Sequence, residues 1–280
     1  MLKHRILTAI VLFVVLALVL YVDSAWPFLG FLAIFCSLAC WEWTRLTLGR
    51  SSFWPPALGA SMAVLTFTQT YFWLNLGSAS VFAVQICVVL SVLLWIFTVS
   101  FTLYRAQVLT RSSPRRWSSF AFVTLFATWG ALANRFYEYG VFYIISLLMV
   151  IWVADIAAYF VGRKFGRHKL APAISPGKTR EGALAGIVGV VIWLLASAQW
   201  PGSFGADLII RWGLFGTILI AILLAIFSIS GDLFESLLKR RAGVKDSSRL
   251  LPGHGGVFDR IDAVVAVVPL AYLLTEGWRF

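Results

Sequence analysis

Val141-Phe142-Tyr143-Ile144-Ile145-Ser146-Leu147-Leu148-Met149-Val150-Ile151-Trp152-Val153-Ala154-Asp155-Ile156-Ala157-Ala158-Tyr159-Phe160-Val161-Gly162 is the stretch whose reading decides the fold. As a helix it rises about 33 Å, enough to cross the hydrocarbon of a bilayer. A surface helix would carry a polar stripe along one face, and this one does not. Its one carboxylate, Asp155, is costly in lipid and therefore faces a partner or a wet cavity. Working outward, similar apolar runs occupy 6–22, 25–41, 55–75, 81–103 and 119–134 on one side, and 182–200, 209–231 and 261–277 on the other. The expected fold class is all-α, a polytopic membrane protein with about nine transmembrane helices.

The composition agrees. Of 280 residues, 60% are apolar and 12% charged, and the mean hydropathy is +0.88. Soluble domains carry roughly 45–50% apolar and about 25% charged residues. A water-soluble globule, a disordered chain and a disulfide-stapled secreted domain are thereby excluded. Lys3, His4 and Arg5 before an apolar run resemble a secretory leader. The run is long, however, no small-x-small site follows Val22, and Trp26-Pro27 opens the next run, so a retained first helix is expected.

The net charge of +11 has its explanation in topology rather than in nucleic acid, which needs a solvated basic face. With the amino terminus cytoplasmic and nine crossings, 20 of the 23 basic residues fall in inside segments, leaving Arg135, Arg211 and Arg279 opposite. That sorting supports an amino terminus inside and a carboxyl terminus on the opposite side. Cys36, Cys40 and Cys87 all lie in apolar runs and read as small core hydrophobes. On this reading 1–117 holds N-terminal transmembrane helices and 118–280 a catalytic transmembrane region, with cytoplasmic loops at 163–181 and 232–260.

Those two loops hold the chemistry. Asp232 and Glu235 stand three apart at the end of one span, and Asp259 and Asp262 repeat the spacing at the start of the next. Residues three apart are neighbours on a helix face, and Mg²⁺ is held by one or two carboxylates plus substrate phosphates. Between the pairs run Lys239-Arg240-Arg241, Lys245-Asp246 and Pro252-Gly253-His254-Gly255-Gly256, a set suited to phosphates. In the other loop, Ser175-Pro176-Gly177-Lys178-Thr179-Arg180-Glu181-Gly182 opens a helix and so offers an anion site at its N-terminal amides. A P-loop is rejected, because Pro172 stands where that motif needs its first glycine. Gly182, Gly186 and Gly189 read as a stripe for close helix packing.

From Ser236 to Asp262 the chain resembles the signature of the phosphatidate cytidylyltransferases, also called CDP-diacylglycerol synthases. Asp232, the Ser175–Gly182 segment and the Asp155–Tyr159–Gly162 region resemble that family as well. The resemblance implies transfer of CMP from CTP to phosphatidic acid, giving CDP-diacylglycerol and pyrophosphate. It also implies a Mg²⁺-dependent site with Asp232 and Asp259 as metal ligands, a nearby K⁺, a homodimer and a bacterial inner membrane. Glu235, Asp246 and Asp262 would then be supporting acids; Lys239, Arg240, Lys245, His254 and Arg260 would handle CTP and pyrophosphate phosphates. Ser175, Lys178, Thr179, Gly255 and Gly256 would contact substrate. Two rival readings are an anion transporter, which would place its site near the midplane, and another CTP-dependent lipid enzyme such as a polyprenol kinase.

Overall fold

A computed structural model describes residues 2–22, 24–49, 51–76, 81–105 and 115–276, without the side chains of 2–9, 12, 13 and 76. Among the basic residues sorted above, Arg50, Arg111 and Arg279 lie outside this set, as do the side chains of Lys3 and Arg5.

The apolar runs are helices: α1 (Leu2–Tyr21), α2 (Ala25–Leu48), α3 (Trp54–Leu76), α4 (Val81–Arg105, π-helical over Leu94–Val99) and α5 (Arg116–Phe165). A two-stranded hairpin, β1 (Lys169–Ala171) and β2 (Ser175–Thr179), then leads into α6 (Arg180–Ser197), α7 (Phe204–Arg241), α8 (Phe258–Ile261) and α9 (Val264–Thr275). Among the described residues, α2, α4, α5, α6 and α7 are long and apolar enough to cross a membrane. The chain is therefore a helical membrane protein.

The fifth and sixth expected spans are the two helices within α5, which meet at Gly140 (φ 77°) in the gap between the apolar runs 119–134 and 141–162. Two features differ from the sequence expectation. The run 209–231 straddles a second break at Gly213 (φ 64°), so a short helix precedes the long part of α7. Glycine alone visits positive φ without a steric penalty, which lets the chain turn at both places. Finally, the segments expected as loops are mostly ordered. Helix α7 continues through Lys239-Arg240-Arg241, because Leu233, Phe234, Leu237 and Leu238 keep its buried face going, and Lys and Arg are good helix formers. Residues 169–179 add a small sheet to the otherwise helical fold.

The chain forms two compact units, each assembled from three stretches: 1–91, 109–133 and 238–262 in one, and 92–108, 134–237 and 263–280 in the other. In the first, α2 and α3 pack tightly at Gly59, where a Cβ would lie 3.0 Å from that of Trp41. Trp43 stacks on Phe258 at 4.6 Å and meets Phe120 edge-on at 5.5 Å. Buried hydroxyl pairs, Thr47 with Ser118 and Ser91 with Thr124, each at 2.6 Å, add polar links between helices.

In the second unit, the stripe on α6 does what its spacing predicts. A Cβ at Gly182 would lie 2.7 Å from the Ala158 carbonyl oxygen, at Gly186 3.0 Å from that of Ala154, and at Gly189 3.1 Å from the Ala157 Cβ. The same unit holds a buried ionic cluster. Arg135, 3% exposed, donates to Glu138 at 2.5 Å and to Glu276 at 2.7 Å, and its guanidinium lies 4.4 Å from the Tyr272 ring. Asp207 accepts from Tyr143 and pairs with Arg211 at 2.7 Å. Truncating one partner of a buried ion pair leaves the others unmatched, at roughly 3–5 kcal/mol; the exposure of Glu138 lowers that figure. Arg135→Ala is expected to destabilise the protein by about 2–4 kcal/mol, measured by reversible unfolding in mixed micelles. A loss below about 0.5 kcal/mol, the range of ordinary surface changes, would show the cluster to be dispensable.

Candidate functional site

In the second unit the hairpin presents Lys178. β1 and β2 pair antiparallel, Lys169 opposite Thr179 and Ala171 opposite Ser175. Ile174, at the turn, is buried against Leu233 and Leu237 of α7, which pins the hairpin to that helix. Lys178 Nζ then reaches Asp232 Oδ2 at 2.6 Å, with both side chains partly exposed. The Ser236 hydroxyl donates to the other oxygen of Asp232 at 3.3 Å. Glu235 shares the helix but is 2% exposed, so the two acids do not meet solvent together.

The start of α6 is less open to an anion than its sequence suggests. Thr179 is buried, and its hydroxyl accepts the Gly182 N–H, capping the helix. The Glu181 carboxylate accepts the backbone N–H groups of Arg167 and His168 and lies 2.6 Å from His168 Nδ1. The chain's own groups thus satisfy part of that terminus. Asp155 is exposed on its helix beside Trp152, Ile156 and Tyr159.

In the first unit the site is the loop between α7 and α8. Residues 251–255 close on themselves: Leu251 N–H donates to the Gly255 carbonyl and His254 N–H to that of Leu251, both at 2.9 Å. Asp259 lies under this turn with its side chain 5% exposed. Its Oδ1 accepts Lys239 Nζ at 2.7 Å. Its Oδ2 accepts Gly256 N–H at 2.7 Å, and Ser247 N–H and Ser247 Oγ at 3.0 Å each. Arg260 donates to the His254 carbonyl at 3.0 Å. Arg240, Lys245, Asp246 and Arg260 are exposed, and His254, Gly255 and Asp262 are half-buried.

One residue at this loop escaped the sequence reading. Glu42, on α2 and fully buried, accepts hydrogen bonds from Ser247 Oγ, Ser248 Oγ, Val257 N–H and Phe258 N–H. A signal was present, since Glu42 is the only acidic residue between Asp23 and Glu138.

Among the described residues, no group of three or more His, Cys, Asp or Glu side chains gathers as a metal cage would require. The donor chemistry nonetheless fits Mg²⁺, which takes one or two carboxylates and fills its remaining positions with water and phosphate oxygens. Asp232 and Asp259 each already hold one cationic group, an ammonium at 2.6 Å and 2.7 Å respectively. Both are hard oxygen donors.

The fold and these residues define a class: a helical membrane protein with lysine-paired carboxylates on its ordered polar segments. The chain belongs to the cytidylyltransferase family, whose profile matches residues 3–278. It is similar to the phosphatidate cytidylyltransferase of Pseudomonas aeruginosa, 37% identical over 283 residues that span 99% of both chains. It is also similar to the protein of that name from Haemophilus influenzae, 32% identical over 96% of both. A third, from Bacillus subtilis, is 38% identical over 165 residues, 55% of this chain and 57% of that one.

Proposed function

We propose that the chain makes CDP-diacylglycerol and pyrophosphate from CTP and phosphatidic acid. The observation that carries this reading is the end-to-end similarity to proteins named for the reaction, and the polar segments supply suitable chemistry. An oxygen of the lipid phosphomonoester attacks the α-phosphorus of CTP, and the bond to the bridging oxygen of pyrophosphate breaks. The attacking oxygen is ionised near neutral pH, with a second pKa of about 6, so a strong general base is not required. The demand is instead to bring two anions together in line.

Asp232 and Asp259 would hold Mg²⁺, which when bound neutralises the phosphates and the leaving oxygen. Lys178 and Lys239, paired with those carboxylates in this structure, would exchange them for phosphate oxygens when substrate binds. Lys245, Arg240, His254 and Arg260 would clamp nucleotide and pyrophosphate; Ser175, Thr179, Gly255 and Gly256 would shape the sites around the substrates. Glu235, Asp246 and Asp262 would support the metal-holding acids. Nine spans, with the amino terminus and both polar segments cytoplasmic in a bacterial inner membrane, are supported by the charge sorting. A homodimer and a nearby K⁺ rest on the resemblance alone.

The test uses purified protein in mixed micelles, CTP labelled at the α-phosphorus, and phosphatidic acid. Label should move into chloroform-soluble lipid with equimolar pyrophosphate when Mg²⁺ is present, and stop moving when it is chelated. Release of CDP with γ-label on lipid would identify a kinase instead. Anion uptake into sealed vesicles with no CTP consumed would identify a transporter.

A further inference from the structure

Glu42 belongs to neither polar segment, lies on an apolar helix, and is fully buried. A carboxylate has about four lone-pair positions, and four donor groups lie within reach of them here, the Ser247 hydroxyl sharing its single proton between Glu42 and Asp259. Oε1 takes Ser248 Oγ and Val257 N–H (3.1 Å); Oε2 takes Ser247 Oγ (2.9 Å) and Phe258 N–H (2.7 Å). Two of those donors are backbone amides at the start of the α8 turn, and the other two are consecutive serines on the opposite side of the loop. One side chain of α2 thus ties together both ends of the 247–258 segment.

The neighbours of Glu42 act on the same segment. Arg45, one turn on, donates to the Ser247 carbonyl. Trp43 stacks on Phe258 at 4.6 Å, with ring planes 22° apart. Gly256 passes so close that a Cβ there would lie 2.5 Å from both Glu42 oxygens.

The connection to the reacting groups runs through Ser247. Its hydroxyl lies 2.9 Å from Glu42 Oε2 and 3.0 Å from Asp259 Oδ2, while its own N–H donates to Asp259. We infer that Glu42 is the positioning residue of this enzyme. By holding Ser247 and the Val257 and Phe258 amides, it fixes where the Asp259 carboxylate and the Gly255-Gly256 turn present themselves to substrate. The inference rests on the cytidylyltransferase reading only for what the loop does, since the anchoring itself is independent of any activity.

Glu42→Gln keeps the volume but turns one acceptor into a donor aimed at donors. In this variant, amide hydrogen exchange in the 245–259 segment should rise at least tenfold. The kcat per folded molecule should fall about 30-fold, while KM for CTP changes less than threefold, because the loop still carries its charges. Glu42→Asp, which keeps the charge on a shorter arm, should recover part of the kcat. A purely structural role would lower yield and melting temperature but leave kcat per folded molecule unchanged. Should Glu42→Gln not insert, Ser247→Ala decides, with faster 245–259 exchange and about fivefold lower kcat expected. Exchange and kcat within twofold of the parent, in whichever of the two variants folds, would overturn the inference. A parent protein inactive in the CTP-to-lipid assay, yet showing the exchange change, would instead overturn the functional reading and leave the anchoring standing.

Discussion

Asp259→Asn lowers conversion of CTP to lipid product by more than about 1,000-fold, equivalent to at least about 4 kcal/mol of transition-state stabilisation. Two effects add. The substitution removes a unit negative charge on which Lys239 depends, and on which the proposed Mg²⁺ would depend as well. It also places an amide N–H₂ where Asp259 now accepts from Lys239 on one oxygen and from Ser247 and Gly256 on the other. Whichever way the amide turns, it brings donor against donor. Turnover should be measured at saturating Mg²⁺ on protein that elutes as the parent does. A variant retaining a tenth or more of the parent rate would remove Asp259 from the metal-holding role.

Gly256→Ala is the second large effect. The added Cβ would lie 2.1 Å from Ser247 Oγ and 2.5 Å from both oxygens of Glu42. None of these atoms is the free end of a flexible chain. Ser247 is tied to Asp259 and Glu42, and Glu42 is held by four donors. Overpacking costs typically 1–3 kcal/mol, and breaking charge-bearing hydrogen bonds adds to it. About 3 kcal/mol and a turnover loss of at least ~100-fold are expected, read by thermal unfolding and by the lipid-labelling assay. Gly30→Ala, whose Cβ would meet only Phe67 at 3.8 Å, is the matched control and should stay within about twofold. Equal behaviour of the two variants would mean that the packing around Gly256 is softer than the distances indicate.

Much of the helical architecture was legible because hydrocarbon imposes one rule, long apolar runs, which needs no knowledge of tertiary contacts. The helix-packing stripe at Gly182, Gly186 and Gly189 was legible for the same reason, as a local periodicity. The hairpin was not. Strands of three and five residues carry no alternation to read, and Ile174 shows its purpose only once Leu233 and Leu237 are beside it. Asp232 and Asp259 stood out as acids at span ends, but their lysines were assigned to phosphates alone. That Lys178, 54 residues before Asp232 in sequence, folds back on it depends on the hairpin turn. Glu42 was missed because its donors lie more than 200 residues downstream. Helix α7 outran its apolar run because Lys239, Arg240 and Arg241 are charged yet helix-favouring.

The distance along the chain between Glu42 and its donors also bears on biosynthesis. Translation proceeds at about 5–20 residues per second, and Phe258 follows Glu42 by 216 residues. For roughly 10–40 s, therefore, the nascent protein holds an acidic group in an already emerged helix while the amides that will receive it have not been made. The surroundings that Glu42 has in the finished protein are complete only once residue 258 has been made. A chain that ends before residue 247 lacks all four of the groups that donate to Glu42 in the finished protein.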